Sequence, residues 1–225
     1  MLAAIAIMPS APVLVPELAG VGTAGELADL RTAVFAAAGS LPSHWVVIGA
    51  GPTRAVFGPD SVGTFAGFGV DLAVRLSPQS GQGADLPLCA LIAGWVRGQV
   101  QPDACLRVHV YADTADAPTR GKQLRAEIDR APEPVGVLVV ADGANTLTPA
   151  APGGYRPRHL DVQHALDDAL ASGDIGALIE LPEPIVGRAG FAALAGLVGS
   201  GPRSAQELYR GAPYGVGYFV GVWQP

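Results

Sequence analysis

Residues 135–140 read Val135-Gly136-Val137-Leu138-Val139-Val140, VGVLVV, a run without a polar side chain and with almost no alternation. A strand of this kind is buried on both faces, as in the middle of a sheet covered by helices on each side. Working outward from it, Ala3–Met8, Trp45–Ile48, Val70–Leu76, Leu106–Tyr111 and Val216–Trp223 are further strand candidates. In one of these Leu106, Val108 and Val110 alternate with Arg107, His109 and Tyr111, which predicts one polar face.

Helical patterns separate the strands. Leu27, Leu30 and Val34 share a face, and Thr23 with Glu26 has the spacing of a capping box in front of them. Leu88, Leu91, Ile92, Trp95 and Val96 recur at i, i+3, i+4, i+7 and i+8. A third helix is predicted from about Pro118 to Ile128. A fourth follows Asp161, burying Val162, Ala165, Leu166, Ala169 and Leu170 and ending at Gly173. Short helices fill the last third, one of them behind a second capping box at Ser204 and Glu207. The alternation predicts a single α/β domain over residues 1–225, with a central mixed, mostly parallel sheet flanked by helices on both faces.

Composition narrows the function. Of 225 residues 49% are hydrophobic and 15% charged, which favours a packed core over disorder. Fourteen Lys and Arg against twenty Asp and Glu give a net charge of −6, so a nucleic-acid partner is not expected. No apolar run is long enough to span a membrane. The N-terminus lacks a basic segment and is broken by Pro9, Pro12 and Pro16, so it reads as a strand rather than a signal peptide. A cytoplasmic protein is the expectation. Cys89 and Cys105 form neither a CxxC pair nor a zinc spacing; they read as buried reduced thiols, with a disulfide between them left open.

In open α/β sheets ligands sit beyond the carboxyl ends of the strands. Three loops qualify: Pro9-Ser10-Ala11-Pro12, the GAGPTR segment ending in Thr53 and Arg54, and the long segment 141–159, ADGANTLTPAAPGGYRPRH. GAGPTR lacks both the Walker lysine and GxGxxG spacing. Ser10 stands outside any GxSxG elbow, which weakens a nucleophile reading. Asp142 directly follows the most buried run, where it would either hold a donor or cap the Gly143 turn. Arg54 is placed to clamp a carboxylate or phosphate, and Tyr155, Arg156 and Arg158 to form a polar lid. If the last strand runs antiparallel to its neighbour, Tyr214 returns to the same sheet end as Ser10 and Asp142.

Four segments, MPSAPVLVPELAG (8–20), VVADGANTLTPAAPGGYRPR (139–158), APYGVGYFVGVW (212–223) and the weaker GRAGFAALAGL (187–197), carry a resemblance. The sequence resembles the B-subunit family of class III (LigB-type) extradiol dioxygenases, and within it a small actinobacterial branch. Residues 54–130 add little to the likeness. The resemblance implies a LigB-like fold. It also implies that positions held by histidines in iron-containing members correspond here to Ser10, Gly51 (or Ala50) and Asn145. For the late glutamate ligand, Glu207 is the nearest candidate in chain order.

An Fe(II) site of this type needs two imidazoles and a carboxylate, and none of these three positions supplies an imidazole. No iron, no other cofactor and no metal site are therefore expected. Asp161 with His164, at i, i+3, reads as a solvated helix start, and His44 and His109 as surface or hydrogen-bonded histidines. The implied function is a metal-free, catalytically degenerate relative of the family whose former active-site cleft binds a small organic molecule. The alternatives are an interaction subunit of an oligomer or complex, and an enzyme of altered chemistry in the same cleft. The residues expected at the site are Ser10, Asp142 and Asn145 as candidates for any remaining catalysis. Thr53, Arg54, Tyr155, Arg188 and Tyr214 join them in ligand binding. A small-molecule ligand and self-association are the expected partners.

Overall fold

The computed structural model describes residues 1–20, 25 and 27–225; the expected capping pair Thr23 and Glu26 lies outside them. In chain order the elements are β1 (Leu2–Met8), α1 (Pro16–Ala19), α2 (Ala28–Gly39), β2 (His44–Ala50), β3 (Ala55–Phe57), β4 (Ser61–Thr64), β5 (Ala73–Arg75) and β6 (Gln82–Gly83). Then come α3 (Leu88–Val100), β7 (Cys105–Tyr111), α4 (Ala117–Asp129), β8 (Val135–Val140), α5 (His159–Ser172), α6 (Ile175–Ile179), α7 (Arg188–Val198), β9 (Ser204–Gly211) and β10 (Tyr218–Gln224).

Among the described residues one sheet of seven strands runs β3-β7-β2-β8-β1-β10-β9. The strands β7, β2, β8 and β1 are mutually parallel, while β3 and β10 run antiparallel to their neighbours. The VGVLVV run is β8, fourth of the seven, and all six of its residues are buried. Its reading as a double-faced central strand holds, because both faces carry a core. Leu138 and Val140 join Ala4, Ala6, Met8, Trp45 and Val47 under α2 and α3. Val137 and Val139 join Ile5, Ile7 and Ile48 under α4, α5 and α7. The strand period of two sorts neighbouring apolar residues to opposite sides, so a run with no alternation is what two cores require.

The helices follow their apolar stripes. Leu27, Leu30 and Val34 are fully buried, and α3 buries Leu91, Ile92, Trp95 and Val96 as expected. Helices α4 and α7 cross at backbone contact: a Cβ on Gly121 would lie 2.0 Å from the Ala193 carbonyl oxygen, and one on Gly196 would lie 1.9 Å from that of Pro118. No helix among the described residues is long and apolar enough to cross a membrane.

Four sequence expectations are corrected. The predicted strand Val70–Leu76 is only Ala73–Arg75, and it belongs to a separate three-stranded sheet, β5-β4-β6. That sheet lies over α3, where Val74 occupies the space left by Gly94 and the buried Arg97 Nε donates to the Arg75 carbonyl at 3.1 Å. Ser204 and Glu207 cap no helix. They lie in β9, whose ladder to β10 from Ser204–Gln224 to Gly211–Tyr218 overrides the local cap signal. On α5 the buried face is Gln163, Leu166, Asp167, Ala169 and Leu170, with Ala165 exposed and Val162 half-buried. Finally, Cys89 is buried but Cys105 only half-buried, and both are free thiols.

Candidate functional site

The three loops named from the sequence do follow β1, β2 and β8 at their carboxyl ends, and the antiparallel β10 brings residues 212–217 to the same end. Ser10 and Asp142 meet there: the Ser10 backbone N–H donates to Asp142 Oδ1 at 2.8 Å. Because the contact uses the backbone, any residue but proline at position 10 could make it. Two residues beyond Val140, Asp142 continues the side-chain alternation toward the α2/α3 face. Burial pushes its carboxyl up to about 7, with the Ser10 N–H opposing the shift. Its charge is felt by two neighbours. Burial raises the Cys89 thiol to about 11, and Asp142 adds to that. The Tyr218 phenol is likewise raised, by burial first and then by Asp142 and Tyr214. A thiol so protonated is no nucleophile at neutral pH. Asp142, in contrast, can either donate or accept a proton there. Tyr214 is half-buried against the same core.

Asn145 belongs to a different part of the site. The segment 142–147 is held on both flanks rather than free. On one side Gly143 N–H donates to the Gly217 carbonyl, Gly217 N–H to Ala144, and Leu147 N–H to Gly215. On the other, Val186 and Gly187 donate to the carbonyls of Gly143 and Asp142, and Ala144 bridges Ile185. The buried Gln163 side chain locks this arrangement. Its Oε1 accepts from Ala144 N–H at 2.8 Å and its Nε2 donates to Asp167 Oδ1 at 2.8 Å. A Cβ on Gly143 or Gly217 would lie 2.0 or 2.1 Å from Gln163 Oε1, so glycine at both positions leaves the room that the Gln163 amide fills. Asp167, buried at the end of this chain of bonds, is pushed up to about 6 by loss of water.

Sequence reasoning missed Gln163 and Asp167. The available signal was two polar residues four apart on a helix whose remaining stripe is apolar.

Beside Asn145 lies a groove of about 460 Å³, lined among others by Thr146, Arg156, His159, Glu183 and Arg188. Thr146 Oγ1 and His159 Nδ1 are 2.7 Å apart. Arg188 is occupied: it donates to the carbonyls of Glu183 and Ile185 and pairs with Asp113 at 2.5 Å. The exposed Arg156 guanidinium makes no hydrogen bond among the described residues, which leaves its charge available to a ligand. Asn145 and Arg188 therefore share this groove, while Ser10, Asp142 and Tyr214 share the α2/α3 side. Thr53 and Arg54 are exposed, and Arg54 lies beside Tyr111 at the sheet edge. Tyr155 is 45% exposed on the long loop and lines neither region.

The donor set does not fit the iron of the extradiol family. Ser10, Gly51 and Asn145 offer a hydroxyl, a hydrogen and an amide. Glu207 lies in β9, held by the Arg210 Nε at 2.8 and 2.9 Å. Among the described residues no three of His, Cys, Asp and Glu gather to hold a metal ion, and Asp161 and His164 are both exposed.

No family model matches this chain, and no curated protein does. Among solved structures the fold is shared with the uncharacterized protein JW3007 from Escherichia coli K12, with a TM-score of 0.58 over 99% of this chain and 100% of the other. Sequence identity is 12%, so the likeness is one of fold alone.

Proposed function

We propose that this chain is an iron-free relative of the extradiol dioxygenase B subunits that binds a small organic acid in the groove beside Asn145. The observation that carries this reading is the groove itself: about 460 Å³ at the carboxyl end of the central strand, with the Asn145 amide and an Arg156 guanidinium unpaired among the described residues on its wall. A guanidinium recognises a carboxylate through parallel N–H bonds, and an amide can both donate and accept. The four resembling segments support the family, and the replacement of both family imidazoles supports the loss of iron. The braced loop 142–147 supports a preformed rather than an induced site, since its backbone is bonded on both flanks.

Calorimetric titration with 3,4-dihydroxybenzoate, and with catechol as the probe lacking a carboxylate, tests the proposal. Binding of the acid, weakened roughly ten-fold by Arg156→Ala and much weaker for catechol, is the expected result. Absence of heat with the acid, or equal binding of catechol, retires the reading. Iron analysis of protein purified without oxygen is its companion. Stoichiometric iron would restore ring cleavage as the leading function.

A further inference from the structure

On the opposite side of the molecule from β9, the edge strand β3 pairs with β7 in the register Val56–His109. His109 and Tyr111, two apart on β7, face α4, while Arg120, Gln123, Leu124 and Glu127 form one stripe of that helix at i, i+3, i+4 and i+7. Between the two elements lies a half-open cavity of about 170 Å³, with Arg54 on its lining. A dry engineered cavity of about 150 Å³ is large enough for benzene, so this one has room for a small ligand. A second cavity of about 150 Å³ shares Arg54, Tyr111 and Arg120 and leads toward Thr114 and Asp116 at the carboxyl end of β7.

Three of the polar groups here have no hydrogen-bond partner among the described residues. His109 Nε2 is the one buried side-chain nitrogen or oxygen among the described residues that lacks a partner. Such a group costs about 1–3 kcal/mol when left unsatisfied. Burial lowers the pKa of His109, which keeps the imidazole neutral at pH 7 with one ring N–H to give. Neither the Tyr111 hydroxyl nor the Arg54 guanidinium makes a hydrogen bond among the described residues; burial and then the Glu127 charge raise the Tyr111 phenol, and the charges of Arg120 and Arg54 oppose that shift. Arg120 spends its Nε on Asp116 but adds a second positive charge to the wall. Arginine can only donate, and the tyrosine hydroxyl and neutral histidine can each donate as well. The single negative group on the lining is Glu127, exposed at the rim.

We propose that this cavity is a second binding site, for a small oxyanion (a carboxylate or a phosphate) held by Arg54 and Tyr111 against the wall that His109 forms. An oxyanion accepts from both donors at once, and its charge answers the Arg54 guanidinium, which has no acidic partner among the described residues, whereas Arg120 is already paired with Asp116. Water would leave the Arg54 charge unanswered. The site is separate from the Asn145 groove, so each proposal can fail without the other.

The test follows the ¹⁵N signal of the His109 imidazole while sodium acetate or inorganic phosphate is added at constant ionic strength. The expected result is a saturable shift with at least one of the two; which one responds distinguishes a carboxylate site from a phosphate site. Arg54→Ala should weaken that response roughly ten-fold, Glu127→Gln should tighten it by removing the opposing charge, and Arg156→Ala should leave it unchanged. Arg54 and Glu127 are exposed, so neither substitution threatens folding. A His109 signal indifferent to both anions, or a response that Arg54→Ala and Glu127→Gln leave alike, would overturn the proposal and leave ordered water as the occupant.

Discussion

Asp142 is a carboxyl whose surroundings disagree with its charge. In the unfolded chain it releases its proton near 3.8; in the native protein burial holds the proton until about 7. Between those values the native state carries a proton that the unfolded state has lost, so raising the pH favours unfolding. The contribution of Asp142 is therefore fully present below the unfolded value and is lost as pH rises toward 7. Asp167, raised to about 6, acts in the same direction. Urea unfolding of wild type and Asp142→Asn should diverge with pH: the variant gains relative to wild type between about pH 4 and pH 8, by on the order of 2–4 kcal/mol. Asparagine can still accept from the Ser10 N–H, so the comparison isolates the charge. A constant difference across that range would mean that Asp142 is better solvated than its position implies. Asp142 was legible in the sequence because it directly follows an apolar strand. Gln163 was not. Its role is created by Gly143 and Gly217, which reach it from residues 20 and 54 positions away.

At the scale of elements, the helix pair α4 and α7 rests on two glycines that leave no room for a methyl group. Gly196→Ala would push a Cβ to within 1.9 Å of the Pro118 carbonyl, a clash with backbone that no rotamer relieves. A loss of about 3 kcal/mol or more is expected, since overpacking at rigid contacts lies at the high end of its range. Gly98 provides the contrast. It lies on the exposed face of α3 with nothing within 4 Å of a new Cβ, so Gly98→Ala should stabilise by about 1 kcal/mol. Opposite signs for the same substitution in two helices, read from denaturation midpoints, are the expected outcome. Equal effects would show that helix propensity, not the crossing, sets the response. Periodicity revealed α2 and α3, because their apolar stripes are local features of the chain. It failed at β9, where a serine and a glutamate spaced like a cap were recruited by a ladder from β10. The hydrogen bonds that decide between helix and strand there come from residues the local pattern does not contain.

Across the whole molecule, the α/β architecture and the double-faced central strand were readable, since they depend on the amount and spacing of apolar residues. The division of the candidate residues was not. Ser10 and Asp142 fall on one side of the sheet, Asn145 and Arg188 in the groove, and Arg54 at the edge strand, because strand alternation and the bracing of residues 142–147 decide where each side chain emerges. The sheet order also carries a consequence for synthesis. β1 is made before the other strands of its sheet, yet its neighbours are β8 and β10, so Ile5 pairs with Val137 on one side and with Trp223 on the other. Contacts so distant in sequence form late, and an unpaired apolar strand is open to aggregation while it waits. Nascent chains stalled before residue 218 should therefore hold Leu2–Met8 with one edge bare and resist native compaction, as pulse proteolysis on the ribosome would detect. The first strand of this sheet to emerge has to wait for the last before both of its edges are closed.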